Sequence, residues 1–349
     1  KKIVKGGLLI CLSSGSKKHL GKVALVTDDY NYAFGGFIGQ IIPDNQVVSK
    51  YLFYNLVSEA YKKYISELTD GIGINNLKSI DLKSFEIPLP PLPHQKQIVA
   101  ILDKAFAAID TAKANAEQNL QNAKELFESY LQNVFSTKGD DWEEKTLGEV
   151  CDFFNGFAFK SKDSIDDSNT QVIRMGNLYQ NKLSLDRKPA FYPDASIAEY
   201  SRYLIKENDL IISLTGTTGK EDYGYTVKIP KTDRNLLLNQ RIAKFIIKDE
   251  NVISKNFLFR FLLSRTFLDE LYKTANGTRQ ANLSTETMKG LFMSFPSIKE
   301  QKQIVKKLDS LSAETKKLEA IYTQKIADLE EMKKSVLQKA FSGQLNTIN

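Results

Sequence analysis

The pentapeptide Gln-Lys-Gln-Ile-Val occupies residues 95–99 and occurs again, unchanged, at residues 301–305. With the same shift of 206 residues, further identities align without gaps on both sides of it. They are Gly71/Gly277, Asn76/Asn282, Leu77/Leu283, Lys83/Lys289, Pro90/Pro296, Leu102/Leu308, Asp103/Asp309, Leu131/Leu337 and Phe135/Phe341. A repeat of this length indicates a duplicated domain rather than a solenoid. The sequence therefore predicts two tandem copies of one module.

Each copy ends in a segment with helical periodicity. Steps of four and three residues define a coiled-coil seam. The predicted seam is Ile98, Leu102, Ala105, Ile109, Ala112, Ala116, Asn119, Ala123, Leu126 and Tyr130 in the first copy, and Ile304, Leu308, Leu311, Thr315, Leu318, Tyr322, Lys325, Leu329, Met332 and Val336 in the second. Asn119 and Lys325 share a seam position, where polar groups fix register. Because both helices lie in one chain, we predict an antiparallel intramolecular pair.

The segments before the long helices mix strand-like and helical patterns. In the second copy, β-type runs cover residues 171–175, 209–214, 223–229 and 242–247, and a helix is predicted over 255–272. The corresponding segments of the first copy are 8–13, 22–26, 37–42 and a helix over 50–68. Residues 48–50 resemble residues 253–255, which is a shift one residue smaller than that of the main repeat. These patterns predict an α+β fold with two tandem α/β domains, each followed by a long helix.

The predicted domain division follows the repeat. It consists of a first α/β domain at 1–93, a helix at 94–138, a second α/β domain at 139–298, a helix at 299–343 and a C-terminal tail at 344–349. The first copy has no counterpart of Trp142 to about Tyr203, roughly 60 residues on this alignment. The chain also begins at Lys1 rather than Met. We therefore expect the first domain to be incomplete at its start.

Composition narrows the class of protein. The two cysteines, Cys11 and Cys151, lie far apart without ligand-spaced partners, so we expect no disulfide framework, no metal site and a cytoplasmic location. The longest apolar runs are far shorter than the roughly 20 residues of a membrane helix, so no membrane association is expected. The net charge of +6 is compatible with a polyanionic partner.

At the level of the whole chain, the arrangement resembles the specificity subunit of Type I restriction-modification systems. The resemblance rests on the duplicated module, its "QKQIV" helix start and its helix end near "LQxxFS". It also rests on "WEEKTLGEVCDFFNGFAFKS" at 142–161 and "NDLIISLTGTTGK" at 208–220, which are similar to stretches of its target-recognition domains. Each of the two recognition domains would then read one half of an interrupted DNA sequence, with the helices setting the gap.

The resemblance also implies partners. The paired helices would dock two methyltransferase (modification) subunits, and restriction/translocase subunits would complete the complex on double-stranded DNA. This chain would carry no catalytic residues and no cofactor. The sequence agrees, because it contains neither a Gly-rich cofactor turn nor an Asn/Asp-Pro-Pro-aromatic loop. The segment 216–220 differs from a phosphate loop in its spacing and has Glu221 where Ser or Thr would bind magnesium.

Polar loops are the candidate DNA contacts, because Arg, Lys, Asn, Gln, Ser and Thr read base edges and phosphates. In the second domain the candidates are Thr278, Arg279, Gln280 and Asn282 in one loop, and Thr215, Thr217, Thr218 and Lys220 in another. In the first domain they are Ser13, Ser16, Lys17, Lys18 and Asn75. Arg279 suits a guanine and Gln280 an adenine. The structural alternative is a capped turn before a helix starting near Ser284, with Asn282 or Ser284 as the cap, and the match of Asn282 to Asn76 suggests a shared structural role.

A second function class remains open at this point. The chain could instead be a non-catalytic adaptor whose coiled coil joins proteins and whose duplicated domains bind peptides. That hypothesis predicts protein binding that is insensitive to salt and no affinity for duplex DNA.

Overall fold

The computed structural model describes residues 1–69, 76–275, 277 and 280–344. Helices and strands are mixed, and a long helix follows the α/β part of each module, which confirms the predicted fold class. The helices are α1 Ser49–Asn55, α2 Glu59–Thr69, α3 Ser79–Lys83, α4 Leu92–Ser136, α5 Leu147–Val150, α6 Lys255–Leu262, α7 Arg265–Lys273, α8 Thr285–Lys289 and α9 Ile298–Phe341. The predicted spans of the long helices, 94–138 and 299–343, are each displaced by one or two residues from α4 and α9.

The strands of the first module are β1 Leu8–Cys11, β2 Val23–Leu25 and β3 Ile38–Ile41. Those of the second are β4 Glu143–Thr146, β5 Cys151–Asn155, β6 Thr170–Ile173, β7 Leu178–Tyr179, β8 Lys182–Leu183, β9 Phe191–Tyr192, β10 Leu204–Ile205, β11 Leu210–Ser213, β12 Thr215–Thr217, β13 Thr226–Lys228, β14 Asn235–Leu238, β15 Ile242–Ile247, β16 Gln280–Asn282 and β17 Phe292–Phe295.

The chain divides into two compact units, and their boundaries differ from those of the predicted domains. The first unit is residues 1–121 and 318–349, and the second is residues 122–317. Each unit therefore combines one α/β domain with the start of its own long helix and the end of the other. The predicted linear division places each long helix in a segment of its own, whereas packing divides each helix between the two units.

In the first unit, the antiparallel sheet β2-β1-β3 packs against α1, α2 and the segment around Phe85. Leu8, Tyr61 and Ile65 are central to this core. A second cluster joins Tyr54 to Leu102 of α4 and to Leu337 and Ala340 of α9. The start of α4 is therefore fixed against both the domain and the end of α9.

In the second unit, the antiparallel sheet β13-β11-β15-β5 forms one wall of the main core, together with α6 and α7. The mixed sheet β10-β14-β6-β9, in which β14 and β6 are parallel, covers a smaller core. Two-stranded ribbons β17-β4, β12-β16 and β7-β8 complete the unit. Leu131 and Phe135 of α4 and Leu308 of α9 enter the main core.

The two long helices run antiparallel within each unit. In the first unit, Lys113 of α4 pairs with Glu330 of α9 at 2.6 Å, and Asp110 pairs with Lys333 at 2.7 Å. In the second unit, the Lys307 ammonium of α9 lies 5.1 Å from the centre of the Tyr130 ring of α4. Partners that lie later in α4 lie earlier in α9, as an antiparallel pair requires.

The predicted seam is buried or partly buried at most positions, and it is wrong where its residues are exposed, at Asn119, Leu126, Leu318, Lys325 and Met332. Leu102, Ile109, Ala116 and Ala123 are buried as predicted, but Asn119 and Leu126 are exposed, and the neighbouring Leu120 and Phe127 are partly buried instead. The second helix shows the same change, with Lys325 and Met332 exposed and Ile326 and Lys333 partly buried. Near its end, α4 also packs on the second α/β domain, where Phe127 contacts the main core. Asn119 and Lys325 are therefore not buried polar residues of the seam.

The helix predicted before each long helix is in fact two helices. Ser58 separates α1 from α2, and Ser264 separates α6 from α7. Each serine hydroxyl donates to a carbonyl three residues earlier and accepts the backbone N–H three residues later. Serine favours a helix N-cap over a helix interior because its hydroxyl satisfies a free backbone donor. The break occurs at the same place in both copies, 206 residues apart.

A buried glutamine anchors each long helix to its domain. Gln95 Oε1 accepts the Val48 N–H at 2.8 Å, and Gln95 Nε2 donates to the carbonyls of Gln46 at 2.9 Å and Pro90 at 2.8 Å. Gln301 makes the same three hydrogen bonds, with Ser254, Val252 and Pro296. The shift of 206 residues thus continues upstream to residues 46–48, whereas sequence similarity alone indicates a shift of 205 there.

Candidate nucleic-acid interface

Two of the predicted DNA-contact loops lie side by side in the second unit. Strands β12 and β16 form an antiparallel ribbon in which Thr215 pairs with Asn282, Gly216 with Ala281 and Thr217 with Gln280. The ribbon is tied to the sheet where the Leu283 N–H donates to the Leu214 carbonyl at 2.8 Å. Residues about 65 positions apart in sequence are thereby brought onto one surface.

The ribbon has a buried side and an exposed side. Thr215 is buried, and its hydroxyl donates to the sulfur of Met175 at 2.9 Å, so it connects the ribbon to the domain. Gly216 and Ala281 are also buried. Thr217, Gln280 and Asn282 are exposed, and Asn282 Nδ2 donates to the Gln280 carbonyl at 3.0 Å. The exposed side carries the hydroxyl and amide groups that suit base edges and phosphates.

The turn after β12 is ordered by Asp222. Its carboxylate accepts the Thr217 N–H at 2.6 Å and the Thr217 hydroxyl at 2.7 Å. The Lys220 N–H donates to the Thr217 carbonyl at 3.0 Å, and Gly219 has a positive φ of 77°. The Thr218 hydroxyl donates to the carbonyl of Gly277, which connects the turn to the other loop. Lys220 and Thr218 are exposed at this tip.

Arg265 supports the same turn from α7. Its guanidinium binds both carboxylate oxygens of Glu221, at 2.7 and 3.1 Å, and its backbone N–H donates to the side chain of Gln132 on α4. The hydrogen bond from Arg265 lowers the pKa of Glu221. The Arg265 guanidinium is therefore paired within the protein and stabilises the turn. Lys220 is the exposed cation of the turn itself.

Three sequence candidates, Thr278, Arg279 and Asn75, lie outside the described residues. Gly277, beside two of them, has a φ of 124°, and a Cβ there would lie 2.0 Å from the Gln280 carbonyl oxygen. Glycine is required at this position because other residues disfavour that conformation and would clash with the backbone.

The first unit repeats the framework of the ribbon in a shorter form. Ser13 forms an isolated antiparallel bridge with Asn76, at positions equivalent to Thr215 and Asn282. The Leu77 N–H donates to the Leu12 carbonyl at 2.7 Å, as Leu283 does to Leu214. Ser16, Lys17 and Lys18 are exposed on a short 3-10 turn that follows. The two modules therefore present different side chains on the same backbone framework.

One exposed hairpin next to the ribbon was not predicted as a site. Strands β7 and β8 are joined by Gln180 and Asn181, which have positive φ values of 50° and 57°. The Arg187 guanidinium stacks 4.3 Å from the centre of the exposed Tyr179 ring. The hairpin follows the Met175–Asn177 turn, and Met175 contacts Thr215 of the ribbon. The signal in the sequence is a Gln-Asn pair between short strands, a weaker hairpin signature than Asn-Gly.

Loss of the Asp222 charge should loosen this turn in a pH-dependent way. Burial raises the pKa of Asp222, but the hydrogen bonds from Thr217 outweigh it, so that the pKa is lowered overall. A lowered pKa means that the stabilisation is present above the unfolded-state pKa of about 3.9 and is lost as pH falls through the folded-state value. We expect Asp222→Asn to have a lower Tm than the unsubstituted protein at pH 7. The difference in Tm between the two proteins should disappear as the pH falls below about 4.

Thermal unfolding followed at stepped pH values measures this effect. Asp186→Asn, at an exposed carboxylate of the same unit, is the matched control and should leave Tm unchanged. A gap for Asp222→Asn that stays constant with pH would show that the carboxylate charge does not order the turn.

The part of the chain that the structure describes contains no helix long and apolar enough to cross a membrane. Within the same residues, no group of three or more His, Cys, Asp or Glu side chains could hold a metal ion.

Comparisons with known proteins agree with this architecture. Residues 1–122 and 139–330 match the family described as Type I restriction modification DNA specificity domain. The chain is 27% identical to the Type I restriction enzyme EcoKI specificity subunit of Escherichia coli strain K12, over 99% of this chain and 76% of that protein. It is 28% identical to the MjaVIII specificity subunit of Methanocaldococcus jannaschii, over 86% of this chain and 71% of that protein.

Solved structures share the fold. A chain from a structure on complex assembly and conformational transition of the type I R-M system aligns with a TM-score of 0.80 at 19% identity, over 99% of this chain and 84% of that chain. The HsdS subunit from Thermoanaerobacter tengcongensis aligns with a TM-score of 0.63 at 19% identity, over 99% of this chain and 83% of that chain.

Proposed function

Since this chain belongs to the family of Type I restriction-modification DNA specificity domains, we propose that each of its two modules reads one half of a bipartite DNA target through the loops of its ribbon framework. Its role is that of a specificity subunit, as in the relatives that it matches over most of its length. The observation that carries the proposal is the repeated framework, Thr215–Asn282 and Ser13–Asn76, beside which the two modules expose different polar side chains.

In the second module, the proposed reading surface is the exposed side of the ribbon. Gln280, Thr217 and Asn282 lie on β12 and β16, with Lys220 at the tip of the turn. Arg279 and Thr278 directly precede Gln280 in sequence. We add Arg187, stacked on Tyr179, as a candidate phosphate contact beside the ribbon. Thr215 is assigned to the framework, since its hydroxyl is turned toward Met175.

In the first module, Ser16, Lys17 and Lys18 are exposed and Ser13 lies on the bridge, so we propose that they contact DNA along with Asn75. The antiparallel helices would set the gap between the half-sites and dock two methyltransferase subunits, and restriction subunits would join the assembled complex. The chain itself would do no chemistry and need no cofactor, and it would act in the cytoplasm, where its DNA target lies.

Assembly of the chain with its modification subunits, followed by selection from a randomised duplex library at two salt concentrations, tests the proposal. We expect enrichment of an interrupted motif and an affinity that falls steeply as salt rises, because phosphate contacts release counterions. Enrichment of one uninterrupted half-site would limit reading to one module. Retention of no duplex by an assembled complex would contradict the proposal and return the adaptor hypothesis, which nothing in the comparisons supports.

Two substitutions separate base reading from phosphate contact in that selection. Arg279→Ala should relax one base pair of the enriched motif and cost about 1–3 kcal/mol against the preferred sequence. Lys220→Ala should weaken binding to all sequences alike and lower the salt dependence by about one counterion. If Arg279→Ala weakens all sequences equally, Arg279 contacts phosphate and not a base.

A further inference from the structure

A second exposed turn adjoins the β12-β16 ribbon in the second module. Residues 239–241, with the sequence Asn-Gln-Arg, connect β14 to β15. The Arg241 carbonyl accepts the N–H of Leu214, the residue directly before β12, at 2.9 Å. The Asn239 N–H donates to the carbonyl of Ile173, the last residue of β6, at 3.3 Å. The turn is therefore fixed to β6 on one side and to the start of the ribbon on the other.

The backbone N–H groups of this turn are all hydrogen-bonded. The Gln240 N–H donates to the Phe157 carbonyl at 2.8 Å, and the Arg241 N–H donates to the side-chain oxygen of Asn239 at 3.1 Å. The Ile242 N–H closes the turn on the Asn239 carbonyl at 2.9 Å. A backbone held in this way loses little conformational freedom when a ligand binds. The position of the turn is therefore set before any contact with DNA.

The two side chains at the tip of the turn are exposed and unpaired. Among the described residues, neither Gln240 nor Arg241 makes a side-chain hydrogen bond, ion pair or ring contact. Five other arginines of the module each stack on an aromatic ring or pair with a carboxylate: Arg187, Arg202, Arg234, Arg260 and Arg265. An unpaired guanidinium and an unpaired amide keep all their donors and acceptors for a ligand.

The first module contains the same turn with different residues. The Phe37 carbonyl accepts the Leu12 N–H at 2.9 Å. The Ile38 N–H closes the turn on the Gly35 carbonyl at 3.1 Å. Both bonds have counterparts in the second module, and the aligned residues are Gly35-Gly36-Phe37 and Asn239-Gln240-Arg241. The turn is kept while its side chains differ, as expected of an element whose residues vary with the sequence that is read.

The turn and the ribbon are spaced to contact neighbouring base pairs. Arg241 lies opposite Leu214, one step beyond the paired residues of β11 and β15. Opposite residues of an antiparallel pair have Cα atoms about 5 Å apart, and base pairs stack about 3.4 Å apart. Side chains of the turn and of the ribbon therefore reach base pairs one or two steps apart in the same groove.

We propose that Gln240 and Arg241 read base pairs of the half-site recognised by the second module, beside those that the ribbon contacts. The Arg241 guanidinium suits guanine, whose O6 and N7 accept two parallel hydrogen bonds, and the Gln240 amide suits adenine at N6 and N7. The proposal rests on the proposed function, because it assigns two further base contacts to the same module. Base reading then extends from the ribbon to a second, separately anchored turn.

Arg241→Ala and Gln240→Ala test this assignment in the chain assembled with its modification subunits and selected against randomised duplexes. Each variant should lose at least about tenfold of its discrimination at one base pair of the enriched motif and keep its preferences at the other positions. The two affected base pairs should be neighbours within one half-site. Thermal unfolding should be unchanged, because neither side chain has a partner in the described part of the chain.

Two further variants separate base reading from an effect of charge. Arg241→Lys keeps the positive charge but loses the planar fork, so the base preference should relax while affinity for other sequences is retained. Lys206→Ala removes a cation from an exposed side chain before Leu210, at the end of β11 away from the turn. Lys206→Ala should leave the enriched motif unchanged.

The outcomes distinguish this proposal from the proposed function. If the unsubstituted complex enriches an interrupted motif and both alanine variants enrich the same motif, base reading by the turn is wrong and the proposed function stands. If Arg241→Ala weakens binding to all sequences equally and Arg241→Lys restores it, Arg241 contacts phosphate and the assignment is overturned. Retention of no duplex by the unsubstituted complex would contradict the proposed function and this proposal together.

Discussion

Replacing Gln301 by leucine is expected to lower the free energy of unfolding of the second unit by about 3 kcal/mol. The side chain is fully buried, and it satisfies the Ser254 N–H and the carbonyls of Val252 and Pro296 at 2.8–2.9 Å. Leucine has a similar size but no polar atoms, so the three backbone groups would remain buried without this partner. The cost of such groups exceeds the gain from the added apolar surface.

Urea unfolding of the chain, followed by a fluorescence probe at Trp142 of the second unit, measures this loss. Gln303→Leu, two residues along the same helix at an exposed side chain, is the control and should change stability by less than about 0.5 kcal/mol. An equally small effect of Gln301→Leu would mean that the anchor is dispensable and that α9 is held by its apolar face alone.

Gly216→Ala is expected to displace the ribbon and to weaken DNA binding by the assembled complex at least about tenfold. A Cβ at this position would lie 2.5 Å from both Asp222 Oδ1 and Tyr223 Cδ1. Tyr223 is buried and packs edge-on against Tyr272, so it cannot yield without moving the turn. Overpacking of this kind also costs about 1–3 kcal/mol of stability.

The same substitution at Gly290 is the control, because a Cβ there would lie at an ordinary 3.4 Å from the Thr287 carbonyl. Duplex binding and thermal unfolding should be measured on both variants. If Gly216→Ala lowers Tm but leaves duplex affinity equal to that of Gly290→Ala, the ribbon does not contact DNA. The proposal for the second module would then move to the hairpin on whose Tyr179 ring Arg187 stacks.

The sequence located the repeated elements well because they are periodic or locally encoded. The strands β11 and β15 and the spans of α4 and α9 follow from apolar runs and from the 206-residue shift. The loops proposed to contact DNA can also be recognised in the sequence, because Gly, Thr and Asn cluster there between predicted strands. What the pattern did not show is that Thr215–Thr217 pairs with Gln280–Asn282, since strand pairing at this separation has no local signature.

The wrong positions in the predicted helix seam also result from contacts that the local sequence does not show. A strict four-three pattern assumes that a helix faces only its partner helix, and it selects Asn119 and Lys325. In the structure Phe127 of α4 also packs against the core of the second unit, and Leu120 and Ile326 are partly buried whereas Asn119 and Lys325 are exposed. Which neighbouring residue is buried depends on the total surface around the helix, and that surface does not exist until the domains have folded.

By itself, the sequence determined the duplication, the order of domains and helices, and the polar loops, since each is carried by residue identity and spacing. Only the tertiary structure decided which residues anchor those parts. Two of the three hydrogen bonds that each of Gln95 and Gln301 makes join segments almost 50 residues apart. Such contacts depend on geometry between distant segments, which no local pattern encodes.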